Sequence, residues 1–397
     1  MTDPTRRGSR QFSYVGRGDA DALAPLVERI APWGGAIGPW RRHPGDPGET
    51  DPVAVPMHPA NYITRPDLVH AVNTALLLGK PLLLTGGPGT GKSQLAERIA
   101  WEFNLGPVLR FEAQSLSEAA DLFYRFDLVG YLAGVELAKA RRETGGPRLL
   151  GKRGVDAEPD TADAAGAVPP REAFARLGAL GQAILRSAPP AYAALFDAAI
   201  GPGEAAASAE ARPSVVLIDE IDKASRDFPN DLLNAIERMQ FALPELRREP
   251  LAAATVHRPI VIVTSNQERE LPAPFLRRCT FFHIDDPTPD ELAAIVARRF
   301  FAGSGGAAPP ALPPAYRQLL DVFVQFRTRH GDDLQYQPGT QELIDWTDAL
   351  RQRRVPPDAD LLTRLDMVLA AASVVSKHRE DQLRLRRFIE GMKPAAA

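Results

Sequence analysis

The chain has 397 residues, with 47 Lys and Arg against 50 Asp and Glu and a formal charge of −3. At about 150 residues per domain this length holds two or three domains, and the balanced charge lacks the basic excess of proteins that grip a phosphate backbone, so nucleic acid is not an expected partner. A single cysteine, Cys279, excludes an internal disulfide and any site built from several thiolates, and a reducing, cytoplasmic setting is the matching expectation.

No stretch reaches the ~20 apolar residues of a membrane span, and the first residues lack the apolar run of a secretory signal. Residues 1–58 mix Pro, Gly and charge and read as a partly ordered extension. From Pro66 to Leu78 the apolar residues Leu68, Val69, Val72, Ala75, Leu76 and Leu78 recur at helical spacing, and Gly79 supplies a C-terminal stop. Pro81 to Thr85 is a short apolar run of strand length. A glycine-rich turn and a helical pattern from Ser93 follow it, the first half of a βαβ unit.

Further strands are expected at Val108–Phe111, Val215–Ile218, Ile260–Thr264 and Phe281–Ile284, each short and apolar as in a parallel sheet covered on both faces. Roughly a hundred residues separate the second strand from the third, too many for a plain crossover. Within that span, Ser117–Lys139 and Arg171–Arg186 read as helices, and 153–170 and 201–213 as flexible connectors. The aromatic-rich residues Leu122, Phe123, Tyr124, Phe126, Leu128 and Tyr131 read as the packed face of a helix. A breaker-rich stretch at 302–315 separates the α/β part from a C-terminal region of helical pattern. The seven histidines show no metal-ligand spacing.

The sharpest motif is Gly86-Gly87-Pro88-Gly89-Thr90-Gly91-Lys92-Ser93, set between a strand and a helix. Its glycines let successive backbone N–H groups turn inward around phosphates, and the following helix N-terminus adds positive potential. Lys92 suits the β- and γ-phosphates, and the Ser93 hydroxyl suits Mg²⁺. The run Val215-Val-Leu-Ile-Asp219-Glu220 ends a buried strand in paired carboxylates: Asp219 suits a hold on Mg²⁺ and Glu220 a base that polarises water. A third strand ends at Asn266, whose amide suits the attacking water. Two adjacent arginines, Arg277 and Arg278, follow.

In this order these segments resemble the AAA+ ATPases, and specifically the MoxR-like branch, over about residues 60–355. The resemblance implies a P-loop α/β three-layer sandwich at 59–301, interrupted by a helical insertion at about 112–213, and a small helical lid with C-terminal helices at 302–397. It implies binding and hydrolysis of ATP with Mg²⁺ at subunit interfaces of a ring, a hexamer. Gly86 to Ser93 match Walker A, with Gln94 next to it; Asp219 and Glu220 match Walker B, and Asn266 matches sensor 1. Arg277 and Arg278 fall where the family places its arginine finger, Arg278 being the better match. Tyr62 and Ile63 lie where relatives contact adenine. Gln341 stands where an arginine often serves as sensor 2, and a neutral amide cannot supply that cationic clamp. The implied role is remodelling of a client protein, one with a von Willebrand factor A domain among the kinds expected. The rival readings are a McrB-like nucleic-acid motor and a nucleotide-gated scaffold with little turnover.

Overall fold

A computed structural model describes residues 58–143, 170–188, 211–246, 249–301 and 310–392. The expected N-terminal extension lies outside the described residues except for His58. So does most of each connector expected at 153–170, 201–213 and 302–315.

After a 3-10 turn at Pro59–Asn61 the chain forms α1 (Pro66–Leu78), β1 (Leu82–Gly86), α2 (Lys92–Glu102) and β2 (Leu109–Glu112). Next come β3 (Tyr124–Phe126), α3 (Leu128–Glu143), β4 (Ala175–Leu177), α4 (Ala179–Ser187), β5 (Val215–Asp219) and α5 (Phe228–Arg238). The short strands β6 (Gln240–Phe241) and β7 (Leu251–Ala252) precede β8 (Ile260–Ser265), α6 (Ala273–Leu276) and β9 (Thr280–Ile284). The C-terminal helices are α7 (Pro289–Phe301), α8 (Pro314–His330), α9 (Thr340–Gln352), α10 (Leu365–Ala370) and α11 (Arg379–Glu390). No described helix is long and apolar enough to cross a membrane.

Five strands form a parallel sheet in the order β2-β5-β8-β1-β9. All five expected strands are present. The chain divides into two compact units: one holds the described residues up to Val108, Ile262–Glu270 and those from Cys279 onward; the other holds Leu109–Val261 and Leu271–Arg278.

In the first unit, Leu82, Leu83 and Leu84 are buried, as an apolar run covered on both faces requires. β1 pairs with β8 through Leu82↔Ile262 to Thr85↔Ser265, and with β9 through Leu82↔Thr280 to Gly86↔Ile284. α1 starts with Pro66 at its first position and stops at Gly79, which is left-handed at φ 61°. Its buried face is Leu68, Val72 and Ala75, whereas Leu78, expected on that face, is exposed. The C-terminal helices share their own core, in which Leu319, Phe323, Phe326, Trp346, Leu350 and Leu385 are fully buried. Two buried side-chain donors there reach backbone acceptors: Trp346 Nε1 donates to Val368 O (3.3 Å) and Tyr316 OH to Val355 O (3.1 Å).

In the second unit, β2 pairs with β5 through Leu109↔Val216 to Glu112↔Asp219, and the Ile260 N–H donates to Ser214 O (2.9 Å) as β8 begins. The region between β2 and β5 departs from the expectation of two helices. β3 and β4 pair antiparallel through Tyr124↔Leu177, Arg125↔Arg176 and Phe126↔Ala175. Helix begins only at Leu128 in one segment and Ala179 in the other. Helical spacing within each segment could not reveal this pairing, because the partners lie about fifty residues apart and each strand is only three residues long.

The aromatic run is therefore not one helical face. Leu122 and Phe123 are buried in a turn, Tyr124 and Phe126 sit on β3, and Leu128 is exposed at the start of α3. Phe123 and Tyr124 stack on Phe241 with centroids at 5.4 and 6.1 Å, and Tyr131 meets Phe174 edge-on at 5.6 Å.

Candidate functional site

The glycine turn leaves β1 at Gly86 and enters α2 at Lys92. Gly89 and Gly91 have φ of 76° and 88°, a region L side chains rarely adopt. Gly86 has φ 143°, and a Cβ there would lie 2.4 Å from Ile284 O, so β9's backbone leaves room only for hydrogen. The Thr90 hydroxyl donates to Gly87 O (2.9 Å) and braces the turn from within. Lys92 is 7% exposed, and its ammonium donates to Gly86 O and Gly87 O, both at 2.8 Å. Two peptide dipoles thus hold the charge at the turn. Gly91 caps α2 without a side chain, and the Ser93 hydroxyl is carried in the helix's first turn with Gln94 beside it.

Three further groups of the first unit meet this loop. The Tyr62 ring covers Gly91, whose Cβ, if present, would lie 3.0 Å from Tyr62 Cε2. Burial pushes the Tyr62 phenol well above its ordinary value, against the opposing pull of Arg65 and Arg98. Ile63 is 38% exposed. Asn266 follows β8 one residue beyond the Thr85↔Ser265 pair, which places it level with Gly86. The start of α9 abuts the loop: a Cβ on Gly89 would lie 3.7 Å from Gln341 N, and one on Gly339 would lie 3.4 Å from Pro88 O. The Gln341 amide itself donates to Asp345 Oδ1 (2.7 Å).

A carboxylate outside the motifs borders the same loop, and an arginine of α8 is bonded to that carboxylate. A Cβ on Gly87 would sit 3.5 Å from Asp286 Oδ1, and Asp286 Oδ2 accepts from Arg327 Nη2 at 2.7 Å. Nothing in the sequence signals them. They lie 41 positions apart and come together only through the packing of α8.

The second unit carries the carboxylates and the arginine pair. Asp219 ends β5, and its carbonyl accepts from Ala113 N (3.0 Å). Glu220 is left-handed, with φ 54° and ψ 50°, uncommon for a residue with a side chain. Its Oε2 accepts from Lys223 Nζ at 2.5 Å. Both side chains are about two-fifths exposed, so this ion pair is of the weak solvated kind. Arg278 donates from Nε to Glu237 Oε2 (3.0 Å) and from Nη1 to Pro274 O (3.3 Å), while Arg277 is exposed.

These residues fit a magnesium nucleotide in kind. A glycine cradle that a Cβ would fill, a lysine held at its mouth and a hydroxyl at a helix start suit a triphosphate. Among the described residues, no group of three or more His, Cys, Asp or Glu is arranged to hold a metal. Mg²⁺ carried by substrate phosphates needs only one or two protein oxygens.

Residues 176–285 match the family described as "ATPase family associated with various cellular activities (AAA)". The matched segment contains Asp219, Glu220, Asn266, Arg277 and Arg278, and the glycine turn precedes it. Among solved structures, the chain is similar to the Thermotoga maritima RuvB Holliday junction branch migration motor and to a single-substitution variant of that motor. Each is 17% identical, with a TM-score of 0.35, covering 80% of this chain and 69% of the other. A likeness of that degree carries no activity, substrate or partner across to this chain. None of the curated proteins matches the sequence significantly.

Proposed function

We infer, from the premise that this chain is an AAA-family ATPase and so an ATP hydrolase, that it works as a ring, a hexamer, that uses ATP to remodel or activate a client protein. The observation that carries the nucleotide part of this reading is the Lys92 ammonium held on Gly86 O and Gly87 O inside the glycine turn. A cation already seated at the loop needs little reorganisation to meet phosphate oxygens.

In this proposal the backbone N–H groups of Gly87 and of Gly89 to Ser93 wrap the phosphates, and Tyr62 and Ile63 flank the base. Ser93 and Asp219 hold Mg²⁺, which neutralises charge on the phosphates when bound. Glu220 takes the proton of the attacking water, which Asn266 orients. Arg277 or Arg278, with Arg278 favoured, reaches the nucleotide of the neighbouring subunit, so each site is completed by assembly. AAA proteins typically oligomerise, which supports the ring. The MoxR-like branch, and with it a client bearing a von Willebrand factor A domain, rests on the motif resemblance. Gln341, engaged with Asp345, favours one rival, a nucleotide-gated scaffold with little turnover.

Turnover of ATP and GTP by wild type and Glu220→Gln tests the reading. A variant as active as wild type removes Glu220 from the mechanism, and negligible wild-type turnover favours the scaffold. Mixing Lys92→Ala subunits with Arg278→Ala subunits restores part of the activity if the arginine acts in trans; no recovery at any ratio removes Arg278 from that role. Several-fold stimulation by duplex DNA, or a preference for GTP, favours a McrB-like motor over client remodelling.

A further inference from the structure

We propose that Arg327 is the residue through which the C-terminal helices respond to the phosphate tail, its guanidinium being shared between Asp286 and the phosphates seated in the glycine loop. This rests on the reading of Gly86–Ser93 as a triphosphate cradle.

Asp286 lies two residues beyond β9, close enough to the loop that a Cβ on Gly87 would meet its Oδ1 at 3.5 Å. A carboxylate at the rim of a phosphate cradle has the wrong charge for its neighbour, and it repels an incoming tail unless a cation offsets it. Arg327 supplies that cation, with Nη2 at 2.7 Å from Asp286 Oδ2. The two side chains are unequal. Arg327 is 16% exposed and extends across the Phe323 ring at 5.8 Å, whereas Asp286 is 57% exposed. The arginine is the better-held member of the pair. Its planar fork has five donors and matches phosphate oxygens at two points, so it can bridge carboxylate and phosphate together. Gln341, whose backbone and Cβ abut the loop, is neutral and bonded to Asp345. The charge that couples α8 to the nucleotide is therefore Arg327, with Asp286 as its competitor.

Calorimetric titration of the full chain with Mg-ATP and Mg-ADP tests this, with folding of each variant checked by circular dichroism. Arg327→Gln weakens ATP binding about tenfold and ADP binding less, and Arg327→Lys, which keeps the charge without the fork, falls between. Asp286→Asn tightens ATP binding about threefold by removing the competitor. The decisive comparison is Arg327→Gln made on Asp286→Asn, where the proposal requires a loss of about fivefold or more relative to Asp286→Asn alone. Equal affinity of those two proteins shows that Arg327 only neutralises Asp286 and overturns the proposal, as does an Arg327→Gln protein that binds ATP like wild type. Failure of wild type to bind either nucleotide overturns the cradle reading itself, and this proposal with it.

Discussion

The glycine loop and α4, the helix that leaves the β3–β4 ribbon, both depend on glycines, but those glycines meet different demands. In the loop, Gly89 and Gly91 are needed for backbone angles that side chains rarely adopt. At the start of α4, Gly178 and Gly181 have ordinary angles, and what they provide is space. A Cβ on Gly178 would lie 2.2 Å from Asp121 O, and one on Gly181 would lie 1.9 Å from Phe123 O. The first demand arises from neighbours in sequence. The second arises from backbone some sixty residues earlier in the chain, so it is visible only once the chain has folded.

The comparison can be broken most sharply at Lys92. Lys92→Ala removes a charge held by loop carbonyls, so ATP turnover falls at least about a hundredfold while thermal stability changes little. A large loss of stability would mean that the lysine serves packing as much as chemistry. Gly181→Ala has the opposite signature. With rigid backbone at 1.9 Å, it costs about 3 kcal/mol or more in denaturant unfolding of the second unit. An unchanged midpoint would show that α4 can slide away from Phe123.

Gly91→Ala falls between these. It forces alanine into a left-handed angle at about 1–2 kcal/mol, and its close contact is with the edge of the Tyr62 ring, which can turn. Pairing it with Tyr62→Ala relieves part of that cost if the ring contributes, and none if backbone strain is the whole effect. The smallest effect is at the ribbon's edge, where the Tyr124 hydroxyl donates to Glu245 Oε2 at 3.0 Å. Tyr124→Phe costs about 0.5–1 kcal/mol at neutral pH, measured by urea unfolding. Burial, aided by the Glu245 carboxylate, pushes this phenol up to about 12. A folded-state value above the unfolded one of about 10 means the contribution is complete below pH 10 and is lost as pH rises through 12. The gap between Tyr124→Phe and wild type therefore narrows over that alkaline window.

The same contrast explains what could be read without coordinates. The loop, the five parallel strands and the strand ends at Asp219 and Asn266 were legible because each is a contiguous run: apolar residues of strand length, then the polar or glycine residues that the turn demands. The ribbon was misread as helix because three-residue strands carry too little periodicity to outweigh the helical segments that follow them. The left-handed backbone of Glu220 and its contact with Lys223 were not legible either, since nothing in the residue types announces a positive φ at a glutamate.

The order of residues alone was enough to determine a glycine loop between strand and helix, carboxylates at the end of a buried strand and a run of C-terminal helices. Those features depend on local sterics and on apolar spacing within a dozen residues. Folding decided which distant groups share a surface. It brought Asp286 to the rim beside Gly87 and bonded Arg327 to it, set Gln341 against Gly89, and joined Tyr124 and Arg171 to the turn at Glu245. Such contacts depend on how helices and strands pack, a property of the whole chain that no short window of sequence contains.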